Sequence, residues 1–100
     1  MFSYLTKLYQ LGALPVIRPG TTQKVSFGSA SVASTVVGGG LVRLLATADC
    51  HIAFGTNPTA DGTCLFLPGN MPEYFACATT DQVAVIQDSG TGNLYITPAI

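Results

Sequence analysis

The sequence predicts a small all-β domain, an antiparallel β-sandwich or jelly roll of about eight short strands with an N-terminal arm or short helix. Three observations point to it. From Thr21 onward the chain is a series of short apolar or alternating runs rich in Val, Ile, Thr, Phe and Tyr. Clusters of Gly, Pro, Asn and Asp separate those runs and supply turn-forming backbone. A chain of 100 residues has material for one hydrophobic core and none for a second.

Taken in order, residues 1–14 place Phe2, Leu5, Leu8, Tyr9 and Leu11 at approximately helical spacing, and the pattern stops at Gly12 and Pro15. A helix this short is marginal alone in water and needs a surface to lie on. A frayed arm is the competing expectation. Residues 1–20 are therefore read as an anchoring extension and residues 21–100 as the β-domain. A secretory leader is not expected, because the segment lacks a basic start and Lys7, Tyr9 and Gln10 interrupt its apolar stretch.

The strands are expected at residues 24–27, 31–37, 41–47, 50–55, 64–67, 73–78, 82–87 and 93–97. Turns fall at Gly38-Gly39-Gly40, Asn57-Pro58, Asp61-Gly62, Pro68-Gly69-Asn70 and Ser89-Gly90, and their shortness predicts that strands adjacent in sequence pair antiparallel. The triple glycine reads as a hairpin bend. Strand alternation puts Cys50, Ile52 and Phe54 on a core face and His51, Ala53 and Gly55 on the other. By the same rule Val83 and Val85 share a face of one strand, and Leu94 and Ile96 a face of another, each contributing to the core. Residues 41–46 are apolar on both faces apart from Arg43, which marks a central strand or one whose outer face meets another subunit.

Composition narrows the function. The hydrophobic fraction is 48% and the charged fraction 9%, against roughly 25% charged in ordinary soluble domains. So few charges favour covering part of the surface with other subunits. The abundance of Val, Leu, Ile and Phe excludes disorder. Apolar stretches such as 41–46 are far too short for a membrane-spanning helix. The net charge is −1, and Lys7, Arg18, Lys24 and Arg43 form no cluster, so neither nucleic acid nor an anionic membrane is an expected partner. Three cysteines, an odd number, argue for synthesis in a reducing cytoplasm and against a disulfide framework.

Candidate chemistry is sparse. Cys50, His51, Cys64 and Cys77 are the soft-ligand residues, but they lack the paired spacing of a zinc site, and Cys50 and His51 should project to opposite faces. Cys50 and Cys77 read as small buried apolar residues, and His51 as an exposed or interface residue. The same geometry disfavours a Cys-His nucleophile pair. The carboxylates Asp49, Asp61, Glu73, Asp81 and Asp88 lie mostly beside turns, where Asp bonds to local amides, and no spacing selects a pair for acid/base work. Gly38-Gly39-Gly40 is not followed by Lys-Ser/Thr and is no phosphate loop. Tyr74, Phe75 and Tyr95 offer a sugar-stacking platform as an alternative to core and interface packing. No catalytic residue, metal or other cofactor is expected.

The segments VRLLATADCHIAFGTNPTA and FLPGNMPEYFACATTDQVAVIQDSGTGNLYIT run from a Val-Arg strand through an Asp-Cys turn and an apolar-Gly strand to Asn-Pro-Thr-Ala. A Leu-Pro turn, Pro-Glu-Tyr-Phe and a closing hairpin follow. This order of segments resembles a family of small virion structural proteins of tailed bacteriophages, and TTQKVSFGSASVASTVVGGG looks like that family's leading strands. Residues 1–19 have no counterpart, and Cys64 and Cys77 stand where polar or Val-like residues are expected. The resemblance implies a non-enzymatic capsid decoration or cement protein, made in the host cytoplasm and localised to the virion. It also implies that the major capsid protein, other virion subunits and copies of the chain itself are its partners, with a trimer as one order of assembly. The expected interface residues are Phe2, Leu5, Leu8, Tyr9 and Leu11 on the extension, and Arg43, His51, Tyr74 and Tyr95 on the domain. Alternatives are a receptor- or carbohydrate-binding fibre module, a head-tail adaptor or collar component, and a small hydrolase using Asp or His.

Overall fold

The computed structural model describes residues 18–99. The expected helix or arm over residues 1–14, with Phe2, Leu5, Leu8, Tyr9 and Leu11, lies outside the described residues. Among the described residues there are eight strands and no helix: β1 (Gln23–Phe27), β2 (Val32–Ala33), β3 (Gly40–Ala46), β4 (Cys50–Gly55), β5 (Leu65–Leu67), β6 (Glu73–Cys77), β7 (Gln82–Gln87) and β8 (Gly92–Pro98).

These strands form two four-stranded sheets, ordered β1-β8-β3-β6 and β2-β7-β4-β5, with every pair antiparallel. The pairs β4·β5, β3·β6, β2·β7 and β1·β8 are nested like the rungs of one long hairpin. Winding that ribbon puts successive rungs in opposite sheets, and the lateral contacts β3·β8 and β4·β7 complete each sheet. This is jelly-roll topology.

The expectation that strands adjacent in sequence pair with each other is corrected here, since only β4 and β5 do so. Gly38-Gly39-Gly40 is accordingly no hairpin bend but a crossing from β2 in one sheet to β3 in the other, with Gly38 at φ +105° and Gly40 at φ +103°. Ser89-Gly90 crosses from β7 to β8 in the same way, so the expected closing hairpin is also absent. A turn sequence specifies that the chain reverses, whereas the need of each strand to bury one face decides which sheet it joins.

The core sits between the inner faces. Val42, Leu44 and Ala46 of β3, Cys50 and Ile52 of β4, Val83 and Val85 of β7, and Leu94 and Ile96 of β8 are all buried, and Phe54 packs against them. The alternation expected for β4, β7 and β8 is observed, and β3 is a central strand.

Strand β2 is far shorter than the expected 31–37, and Ser34 is the reason. Its backbone N–H donates to Val83 O at 2.9 Å, but its hydroxyl takes the Val83 N–H at 3.0 Å, and its carbonyl accepts from Gln82 Nε2 at 2.7 Å. Side chains thus replace the next ladder rung, as Ser does when its hydroxyl competes for backbone partners.

At the chain's entry, Pro19 bridges Ala99 and Gly20 N–H donates to Pro98 O at 2.7 Å, extending the β1·β8 ladder. At the opposite side the β5–β6 turn is strapped to the β3–β4 turn: Gly69 N–H donates to Asp49 Oδ1 at 2.8 Å and Asn70 N–H to Ala46 O at 2.7 Å. Gly69 is required there, because a Cβ would lie 2.9 Å from the Ala48 backbone.

Candidate functional site

Three surface regions gather the polar and exposed apolar side chains. The first is the outer face of β1-β8-β3-β6. Because Val42, Leu44 and Ala46 point inward, Leu41, Arg43 and Leu45 point outward. Register then sets Arg43 between Tyr74 on β6 and Thr97 on β8, while Leu45 faces Tyr95, which faces Lys24 on β1. Arg43, Tyr74 and Tyr95 therefore share one face, with Tyr74 38% exposed and the other two partly covered. Phe75 points inward instead, packing on Phe54 with ring centroids 5.5 Å apart. A platform uniting Tyr74, Phe75 and Tyr95 is thereby not assembled.

The second region is the edge formed by β5 and β6, the outermost strands of the two sheets on this side. Among the described residues, four of the six exposed large hydrophobic side chains, Leu65, Phe66, Met71 and Tyr74, lie on these strands or the turn between them. Sequence reading missed Leu65, Phe66 and Met71. A run such as Cys-Leu-Phe-Leu reads as a strand buried on both faces, but only Leu67 of β5 is fully buried. Apart from Glu73, neither edge strand carries the charge or proline with which exposed edges are usually blunted.

The third region centres on His51, on the outer face of the other sheet and apart from Arg43, Tyr74 and Tyr95. It stands on the outer face as expected, but with its side chain only 12% exposed the exposed alternative of the two expected, exposed or interface, is not met. Nδ1 lies 3.0 Å from the carbonyl oxygen of Cys64 and Nε2 lies 2.9 Å from Oδ1 of Asp88. On β7, Ile86 stands directly opposite His51, so Asp88 two residues on is its diagonal neighbour on the same face. On the other side Phe66 of β5 meets the imidazole edge-on, with centroids 5.6 Å apart. The Cys64 carbonyl and the Asp88 carboxylate both hold His51 well toward its charged form, and its pKa is raised above the ordinary 6.5.

The β4–β5 loop folds back over this face. Ala60 N–H donates to Ser31 Oγ at 2.9 Å, just before β2, and Ala84 on the outer face of β7 has no exposure. Asp61 organises the loop, accepting from the Thr63 N–H at 2.8 Å and from the Thr63 hydroxyl. Those two bonds hold its carboxyl below the usual carboxylate range. Asp81 likewise accepts from Ala78 N–H at 2.8 Å. These are the local turn bonds that the placement of the aspartates predicts.

The arrangement limits what His51 can do chemically. Both ring nitrogens face acceptors, so the ring has no lone pair turned toward a nucleophile or metal. Cys64 meets His51 through its carbonyl, while its Sγ lies 3.7 Å from Asp61 Oδ1. Cys50 and Cys77 are buried, and burial followed by the charge of Asp49 pushes the Cys50 thiol up to about 11. Among the described residues no group of three His, Cys, Asp or Glu side chains is placed to hold a metal ion.

Compared with protein-family models, with curated proteins and with solved structures, the chain matches none.

Proposed function

We propose that this chain is a non-enzymatic structural subunit of a tailed-phage virion, a decoration or cement protein that stabilises the head by docking against the major capsid protein and neighbouring subunits. One observation carries the reading toward assembly: the concentration of Leu65, Phe66, Met71 and Tyr74 on the β5–β6 edge of a charge-poor domain. Exposed apolar side chains gathered at a sheet edge lose solvation cost when a partner covers them. Jelly rolls are frequent among capsid and lectin domains, which agrees with this reading by analogy only. The assignment to phage comes from the resemblance of the strand and turn sequence. The Arg43, Tyr74 and Tyr95 face adjoins the edge through Tyr74 and extends the proposed docking surface. Many weak contacts of this kind, engaged together across a shell, give firm attachment.

The copy number of the chain on purified virions tests the function. A decoration protein is recovered in near-stoichiometric ratio to the major capsid protein, an adaptor in only about a dozen copies per particle, and absence from the particle refutes the virion role. The docking surface is tested separately with Met71→Asp, at an exposed turn position, which should weaken binding to heads lacking the protein while leaving the melting temperature nearly unchanged.

A carbohydrate-binding fibre module is the second reading, favoured by Tyr74 and Tyr95 sharing a face. Glycan-array binding that is lost in Tyr74→Ala and Tyr95→Ala would support it.

A further inference from the structure

We propose that His51 is a protonation-dependent latch: its imidazolium ties the start of β5 and the end of β7 to the outer face of β4, and loss of one ring proton releases one of the two ties. The chemistry follows from what each ring nitrogen faces. A backbone carbonyl and an ionised carboxylate only accept hydrogen bonds. Nδ1 must therefore donate to Cys64 O, at 3.0 Å, and Nε2 to Asp88 Oδ1, at 2.9 Å. The imidazolium has two N–H groups and satisfies both. A neutral imidazole has one, so in either tautomer a ring lone pair confronts an acceptor lone pair.

The two partners belong to different elements. Cys64 immediately precedes β5, and Asp88 immediately follows β7. Among the described residues, no pairing other than its three-residue ladder with β4 links β5 to the rest of its sheet. Phe66 on that ladder packs against the imidazole itself. Protonation of one ring thus bears on the ordering of a short edge strand.

The titratable groups around the ring all favour the charged form. From the end of β7 it is Asp88, and from the β4–β5 loop it is Asp61; the Cys64 thiol is turned toward Asp61 and acts on the ring only through its residue's carbonyl. The hydrogen bond to the Cys64 carbonyl contributes most to raising the pKa, the bond to Asp88 comes next, and desolvation opposes them. A folded-state pKa above the ordinary 6.5 gives a definite sign. The stabilisation from the latch is fully present below pH 6.5 and is lost as pH rises through the raised folded value.

The test is an NMR titration of the full chain across about pH 5 to 9, the range in which histidine switches. Below the folded pKa the ring should show two protonated nitrogens, and the fitted pKa should exceed 6.5. Above it, amide exchange at residues 63–66, corrected for intrinsic base catalysis, should accelerate severalfold relative to β3 and β8. Asp88→Asn, at a partly exposed turn position, replaces the carboxylate with a group that can donate to a neutral Nε2. In that variant the His51 pKa should fall and the pH response at residues 63–66 should disappear. A His51 pKa at or below 6.5, a singly protonated ring at low pH, or the same exchange response in Asp88→Asn as in the native chain would overturn the proposal.

Discussion

Replacing Ser34 with alanine should cost far more than a surface serine normally does. Ser34 is 4% exposed, and its hydroxyl accepts the N–H of Val83, a residue with no exposure, at 3.0 Å while donating to the Thr35 carbonyl at 2.7 Å. The Val83 N–H points toward β2 at Ser34, where the hydroxyl takes it while the Ser34 carbonyl accepts from Gln82 Nε2 instead. Ser34→Ala removes both hydrogen bonds of the hydroxyl and leaves the buried Val83 donor unsatisfied, an effect of about 1–3 kcal/mol. For a domain of this size, about 2 kcal/mol corresponds to a melting temperature lower by ~10 °C. Urea denaturation read by circular dichroism should show a lower midpoint at unchanged slope. Thr35→Ala is the comparison, since the Thr35 hydroxyl bonds Gln23 Oε1 at an exposed position, and its loss should stay within about 0.5 kcal/mol. If Ser34→Ala is as mild as Thr35→Ala, the hydroxyl is not what terminates β2, and that account of the short strand is wrong.

Other perturbations test other parts of the fold. Leu44→Ala, at a fully buried site on central strand β3, should cost about 2–5 kcal/mol by leaving a cavity between the sheets, seen as a large fall in the denaturation midpoint. Gly69→Ala places a Cβ 2.9 Å from backbone atoms of Ala48; rotamer changes cannot relieve that contact, so a loss of roughly 1–3 kcal/mol is expected by thermal melting. A thiol reagent at about pH 8 should modify Cys64 readily in the native protein and leave Cys50 and Cys77 nearly inert, because burial raises both buried thiols. All three cysteines should react after denaturation, and rapid native labelling of Cys50 would contradict its placement in the core.

The strands were legible because local chemistry announces them. Strands β4 and β7 occupy residues 50–55 and 82–87, as their alternation predicts, and most of the others differ from expectation by only a residue or two at their ends. Strand β2 was the exception, since a run such as Ser-Val-Ala-Ser-Thr-Val-Val has strand propensity throughout. Its extent is set by competition between the Ser34 side chain and the backbone ladder, which depends on β7 arriving beside it.

The surface regions were legible only in part. Arg43, Tyr74 and Tyr95 could each be assigned outward by alternation, but their gathering on one face requires the register of β3 with both β6 and β8. Asp88 carries no signal as the partner of His51, from which it is separated by 37 residues. The exposure of Leu65 and Phe66 was hidden for the opposite reason, as an apolar run suggests burial and only sheet order reveals an edge.

By itself the sequence determined the all-β class of the described residues, where most of their strands lie and which residues of the principal strands face the core, because side-chain alternation and turn chemistry act over neighbouring residues. Tertiary structure alone decided that the strands wind as nested pairs into a jelly roll, that His51 lies between two acceptors, and that β5 and β6 form an apolar edge. Those features arise from contacts between segments distant in sequence, and it is the burial of every strand's inner face at once that selects among the pairings the turns permit.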